Sequence, residues 1–465
     1  MRIVYCLIYL ITLPILTHAQ VFGKKLREAA SAFEKDSQMR HAIYSLYVVD
    51  GKTGKVVFDK NSEIGLAPAS CQKLITSGAA FEMLGNDFRF RTNLGYRGKI
   101  ENGALKGDLL IVGSGDPTLG SWRFEDTKEE FVLRTLIDKI KSLKIRLINN
   151  GIWIDGNGWS SQTTPDGWIW QDIGNYYGAG ADRINWRENQ YDLVLRSGKI
   201  IGDRVEIVST KPELINVNLK SEVLAGAKAS GDNAYIYLPP GGEHGVVRGT
   251  IPEGENNFTI SGSFPNPGFQ FISTLKRELE KNMIYVSKDI DSANILAFFD
   301  KPEILATIYS PSLDSINYWF LRRSINLYGE ALVKTIAYEK AGFGSTEKGV
   351  EQVKDFWSQQ GIDKAAINIV DGSGLSPQNR VTTNALVKVL QYAKTRPWYK
   401  SFYLSIPIYN GLKMKSGSIG GARSFAGYHT SKDGNEYIFA IIVNNYDGSS
   451  GAMVRKMYQV LDTLK

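Results

Sequence analysis

The chain has 465 residues and a formal net charge of +7, from 55 Lys and Arg against 48 Asp and Glu. That length allows two or three domains around ample apolar cores. Its positive charge is scattered, with no basic run interleaved with aromatics and no zinc-ligand spacing, which argues against a nucleic-acid partner. Only four histidines occur and none forms a His-Glu-x-x-His pair or a Cys/His cluster, which argues against a histidine-built metal site.

Arg2, the apolar run Ile3 to Leu16 and the small-residue site Thr17-His18-Ala19 predict a signal peptide over residues 1–19, cut before Gln20. No later segment is apolar enough to span a bilayer, so the mature protein is expected to be soluble outside the cytoplasm. Cys6 leaves with that peptide. Cys71 is then without an intramolecular partner and is read as core, since it points about 100° away from Ser70 on a helix. Phe22 to Met39 reads as an amphipathic helix. Ala42 to Val49 and Lys55 to Asp59 read as a hairpin, whose turn contains a literal Lys52-Thr53-Gly54.

Next comes Ala67-Pro68-Ala69-Ser70-Cys71-Gln72-Lys73-Leu74, which predicts a buried helix with Pro68 in its first turn. The helix should run to Leu84 and close at Gly85 in a left-handed conformation. At spacing i, i+3, Ser70 and Lys73 share a face with Cβ atoms roughly 5–6 Å apart. A serine hydroxyl needs a neighbouring base, and lysine serves only if burial or a second cation lowers its pKa. Spacing alone does not decide: Ser273/Lys276 and Ser345/Lys348 have it too.

Strands are expected over Phe88 to Tyr96, Leu105 to Val112 and Ile152 to Ile154, with a helix over Phe131 to Leu143. A Trp-rich stretch from Trp159 to Trp170 leads into Gln171-Asp172-Ile173-Gly174-Asn175-Tyr176-Tyr177, where aromatics surround one carboxylate. From Gln190 to Pro265 the pattern is β-rich, with strands over Tyr191 to Arg196, Arg204 to Val208, Ala234 to Leu238 and Phe258 to Ser261. Pro267 to Glu280 and a strand-like Ala293 to Phe299 follow, then a helix over Ser312 to Arg322. Ser324-Ile325-Asn326 is a second candidate motif, with decoys at Ser292/Asn294 and Ser315/Asn317. Asp371-Gly372-Ser373-Gly374 predicts a turn-forming loop before a helix near Thr382. The third candidate, Lys415-Ser416-Gly417-Ser418, enters a strand pattern ending at Tyr428. A turn at Lys432 to Asn435, a strand from Tyr437 to Val443 and a helix from Ala452 to Leu464 complete the chain.

In order, Ser-x-x-Lys, Ser-x-Asn and Lys-Ser-Gly form the motif set of penicillin-binding proteins and serine β-lactamases. The roughly 250 residues between Ser70 and Ser324 are more specific, as are Gly115-Asp116-Pro117-Thr118-Leu119, Tyr177-Gly178-Ala179, Glu330-Ala331-Leu332, Asp371-Gly372-Ser373-Gly374-Leu375-Ser376 and Ala426-Gly427-Tyr428. The chain resembles the D-alanyl-D-alanine carboxypeptidase/endopeptidase family, the class C low-molecular-mass penicillin-binding proteins, over nearly its whole mature length.

That resemblance implies an α/β (α+β) transpeptidase-like domain, from residues 20–95 and 301–465, split by a long insertion. The insertion would form domain II, from 96–189 and 266–300, and a β-rich domain III, from 190–265. It implies a serine DD-peptidase acting on peptidoglycan stem peptides, without cofactor or metal, and acylated by β-lactam antibiotics. Ser70 would be the nucleophile, Lys73 its base, Ser324 the proton carrier to the leaving amine and Asn326 the holder of the substrate amide. Lys415, Ser416, Gly417 and Ser418 would bind the terminal carboxylate, and Asp172 would meet the amino end of the stem. Lys-Ser-Gly stands where the family has Lys-Thr-Gly, Cys71-Gln72 is an unusual motif interior, and Gly178 to Ala181 follows the aromatic pair where a proline is commoner. The alternatives are a serine β-lactamase and a non-catalytic wall-binding protein of the same fold.

Overall fold

The computed structural model describes residues 24–290, 295–296 and 301–465. The expected signal peptide, and the decoy Ser292/Asn294, lie outside them. A six-stranded antiparallel sheet organises the two ends of the chain. Its spatial order is Ile408–Tyr409, Leu412–Ile419, Ala422–Thr430, Glu436–Asn444, Ile43–Asp50 and Val56–Lys60. Glu436–Asn444 shows why it lies near the middle. Tyr437, Phe439, Ile441 and Val443 join the core on one face, and Ile438, Ala440 and Ile442 the core on the other. A strand apolar on both faces must be covered twice.

Helix 24–34 and helix Ser450–Leu461 cover the first face through Leu26, Phe33, Met453 and Met457. The larger core on the other face takes helices Lys73–Leu84, Leu313–Arg322, Asn326–Ala341, Thr346–Gln359 and Thr383–Lys394. Helix Lys73–Leu84 runs through its middle, buried from Lys73 to Phe81. The mixed α/β class expected from the sequence is borne out.

A seven-stranded sheet, built on the Arg91–Glu101/Ala104–Val112 hairpin, takes in Glu303–Tyr309, which pairs with Arg91–Tyr96. It therefore includes residues on both sides of the expected boundaries at 96 and 300. Two three-stranded sheets carry the β-rich stretch, in the orders Asn233–Tyr237, His244–Pro252, Asn218–Gly226 and Phe258–Ser263, Gln190–Arg196, Glu206–Lys211.

Several local expectations are corrected. Asn218–Gly226 and His244–Pro252 pair in parallel as full strands, although each mixes polar and apolar residues too evenly to read as one. The pattern from Lys413 to Tyr428 is a hairpin of two strands, turning at Gly420-Gly421, because Gly421 supplies a φ of +68°. Gly85 ends its helix with φ +88° and ψ 155°, a positive-φ conformation suited to glycine but outside the left-handed helical region. The first turn of that helix is a separate 3-10 turn, Ala69–Gln72.

Candidate active site

Ser70 lies in the turn Ala69–Gln72, immediately ahead of the buried helix. Ala69 holds φ +45°, a left-handed conformation costing a non-glycine residue roughly 1–2 kcal/mol. Two glycines allow other segments to close on this turn. A Cβ on Gly417 would stand 2.5 Å from the Pro68 carbonyl oxygen and 2.2 Å from Ser424 Oγ. One on Gly374 would stand 2.0 Å from the Ala69 carbonyl oxygen.

Lys73 is fully buried, and its Nζ donates to Ser70 Oγ at 2.8 Å, Asn326 Oδ1 at 2.6 Å and the Ser373 carbonyl at 2.7 Å. These three acceptors hold the amine against the serine. Asn326 begins helix Asn326–Ala341, and its Nδ2 donates to the Tyr177 carbonyl at 2.7 Å. Ser324 sits just before that helix with φ +59°. Its Oγ accepts from Lys415 Nζ at 2.9 Å, while the same amine donates to the Ser416 carbonyl at 2.7 Å. Three distant segments thus place two amines and two hydroxyls around one point.

Burial and the neighbouring Lys415 push the Lys73 amine well below its ordinary value, against the opposing pull of Asp371 and Glu330. Burial alone pulls Lys415 down to about 8. Burial raises the Cys71 thiol to about 11, and its Sγ donates to the Lys415 carbonyl, so Cys71 packs as expected. Glu330 is buried, accepts from the Gly372 backbone amide and is raised to about 8 by burial and then by Asp371. Asp371 accepts from Gln72 Nε2, Trp168 Nε1, Asn379 Nδ2 and the amides of Gly374 and Ser376. It anchors the loop whose Ser373 carbonyl holds Lys73.

A cleft of about 880 Å³ opens at Ser70 and is lined by Asp172, Tyr177, Ser324, Asn326, Ser416 and Ser418, among others. Asp172 lies on the one-turn helix Trp170–Ile173 and is raised to about 6 by burial, with Tyr177 opposing. Arg123, Arg323 and Arg423 also line the cleft. Strand Leu412–Ile419 meets the end strand Ile408–Tyr409 only at Leu412 and Lys413. Among the described residues, no strand pairs with its outer edge from Lys415 to Ile419.

The decoy motifs lie elsewhere. Ser345 caps helix Thr346–Gln359, Lys276 pairs with Asp289, Asn317 accepts from Ser77, and Lys52 donates to the Gly434 carbonyl. Sequence reasoning missed the carbonyls of Ser373 and Tyr177 and the buried set of Asp371, Trp168 and Glu330. The Asp371-Gly372-Ser373-Gly374 turn signal pointed to the loop, but not to its grip on Lys73.

A serine hydroxyl bonded to a buried lysine amine, at the head of the central helix of a mixed α/β fold, is the arrangement of a serine peptidase. The profile of the D-Ala-D-Ala carboxypeptidase 3 (S13) family matches residues 26–464, and the chain belongs to that family. It is a serine-type DD-peptidase of the class C low-molecular-mass penicillin-binding group. It is 27% identical over 471 residues to the D-alanyl-D-alanine carboxypeptidase of Actinomadura sp. (strain R39), covering 93% of this chain and 83% of that protein. It is 25% identical over 419 residues to D-alanyl-D-alanine carboxypeptidase DacB of Haemophilus influenzae, covering 84% and 83%. Penicillin-binding protein 4 of Haemophilus influenzae superposes with a TM-score of 0.77 at 22% identity, covering 92% of this chain and 97% of that one. A structure of that protein with a bound β-lactam superposes at 0.72, with 21% identity and 91% and 95% coverage.

Proposed function

We propose that the protein trims D-alanine from peptidoglycan stem peptides through an acyl-enzyme on Ser70, and also cleaves D-Ala–diamino-acid crosslinks. The observation that carries this reading is the 2.8 Å contact between the lowered Lys73 amine and Ser70 Oγ. Neutral Lys73 takes the Ser70 proton as Oγ attacks the penultimate D-alanine carbonyl. Backbone N–H groups of Ser70 and Ser418 receive the oxyanion, each worth about 3 kcal/mol. Ser324, bonded to Lys415, relays that proton from Lys73 to the departing amine, the C–N bond breaks, free D-alanine leaves and Lys73 is neutral again. Water then attacks the ester, Lys73 accepts its proton, and Ser70 regains its hydrogen as the trimmed acid departs.

The substrate's own groups find matching partners. Charged Lys415, with the hydroxyls of Ser416 and Ser418, binds the terminal carboxylate, and Asn326 meets the amide. Gly417 keeps the strand close to Ser70. The unpaired edge after Lys415 suits an extended peptide joined by strand addition. Asp172 meets the amino end of the stem. A β-lactam acylates Ser70 by the same attack, and the protein works outside the cytoplasm after loss of residues 1–19.

Fluorescent penicillin tests this with and without Ser70→Ala. A long-lived adduct that requires Ser70 is expected, together with D-alanine release from a pentapeptide. Rapid turnover of the label would assign a β-lactamase instead, and no adduct would leave a non-catalytic binder.

A further inference from the structure

The sheet Asn233–Tyr237/His244–Pro252/Asn218–Gly226 buries one face, through Ala234, Ile236, Val247 and Val223, in the insertion's core. Its other face is outward. There Tyr237 stands opposite Val246, which stands opposite Lys220, and Tyr235 stands opposite Arg248. A second hollow of about 560 Å³ opens on this face, walled by Trp170, Tyr237, Arg248, Lys220, Asn218 and His244. Trp170 is 49% exposed, a large apolar surface for a tryptophan to leave in water. Its ring lies 6.0 Å from that of Tyr237, and the Arg248 guanidinium lies 5.5 Å over the other ring. Glu222 accepts from Arg248 Nε at 2.9 Å and from Lys220 Nζ at 3.4 Å. That holds both cations over the hollow and leaves their other N–H groups facing outward.

This hollow continues the catalytic cleft. Ile169 and Asp172 line the cleft, while Trp170, between them in sequence, lines the hollow. Tyr235 lines the cleft and Tyr237 the hollow, two residues apart on the same strand face, about 7 Å by strand rise. A polymer leaving the cleft past Asp172 therefore runs onto Trp170 and Tyr237. Two tilted aromatic faces match the C–H faces of pyranose rings. The surrounding N–H donors of Lys220, Arg248 and Asn218 match acetamido carbonyls and the carboxylates carried along a wall polymer.

We propose that this hollow binds the N-acetylated glycan strand to which the stem peptide in the cleft is attached. The inference rests on the DD-peptidase reading for its choice of polymer. Trp170→Ala and Tyr237→Ala separate the two ideas, with D-alanine release measured from a short diacylated D-Ala-D-Ala peptide and from intact sacculi. Both variants are expected to keep the wild-type rate on the short peptide. On sacculi they should lose about tenfold, through KM with kcat unchanged, the size of one lost stacking contact. Stem-free glycan strands should bind wild-type protein in calorimetry and bind neither variant measurably.

Equal rates on sacculi, or no binding of stem-free strands by the wild type, would overturn the proposal and leave the peptidase reading intact. Loss on the short peptide in both variants would overturn it too, since the aromatics would then be supporting the cleft. If the wild type fails on the short peptide yet binds the glycan, the peptidase reading falls and the glycan site stands.

Discussion

Lys73 and Lys415 are both lysines lowered by burial, but the proposed mechanism asks opposite charge states of them. Lys73 must be neutral to take a proton: its two N–H groups then stay on Asn326 Oδ1 and the Ser373 carbonyl, and its lone pair turns to the Ser70 hydroxyl. Lys415 must be charged to bind a carboxylate, and its charge is one cause of the lowering at Lys73. Acylation should therefore rise with pH as Lys73 deprotonates, well below the ordinary lysine value, and fall again near pH 8 as Lys415 loses its proton. The second-order rate of penicillin acylation against pH should be bell-shaped. In Lys415→Met the falling arm should vanish, the rising arm should move to higher pH, and the maximum should drop about 10²-fold or more, as for removal of one oriented electrostatic contact.

At the level of elements, the site depends on how closely three backbones approach. Turn Ala69–Gln72 touches strand Leu412–Ile419 only because position 417 lacks a side chain, as the 2.5 Å and 2.2 Å distances to Pro68 and Ser424 require. Gly417→Ala should push the strand outward by a fraction of an ångström or more, with the turn itself anchored by the buried helix behind it. Acylation by penicillin should fall about 10²-fold, the usual penalty for misplacing one reacting partner. Thermal stability should fall too, by about 1–3 kcal/mol, because Ser424, opposite Gly417 on the paired strand Ala422–Thr430, must also give way. Stopped-flow acylation beside a melting curve reads both. Equal acylation in the variant would mean that the strand does not define the distance to Ser70.

Across the whole molecule, helix Asn326–Ala341 links the segment from Gln162 to Ala181 with the core on the six-stranded sheet. Lys334 on that helix is fully buried, and its Nζ donates to the carbonyls of Gln162 and Ala181. Burial lowers it to about 8, with Asp182 and Glu330 opposing. The unfolded chain keeps its proton up to about 10.5, so between pH 8 and 10.5 the unfolded state binds more protons than the folded one. Stability should accordingly gain up to about 1.4 kcal/mol per pH unit from this residue across that window. Lys334→Met should remove that part of the slope, measured as urea midpoints from pH 7.5 to 10. An unchanged slope would show that Lys334 stays charged when folded.

Much of the element order was legible in the sequence, because local period and turn chemistry set it. The alternation of Ala42 to Val49, the apolar run after Lys73 and the turn at Lys432 to Asn435 each carry their own signal. The order and spacing of Ser70-x-x-Lys73, Ser324-x-Asn326 and Lys415-Ser416-Gly417 carried the family resemblance, and with it the fold class. Strands such as Asn218–Gly226 were not legible, since their pairing rests on neighbours distant in the chain. Nor does spacing distinguish Lys73 from Lys276 and Lys348. Only tertiary structure strips water from one of the three and sets a hydroxyl, an amide oxygen and a carbonyl around its amine. Burial and carbonyl direction are properties of the folded backbone, and they decide which lysine can act as a base.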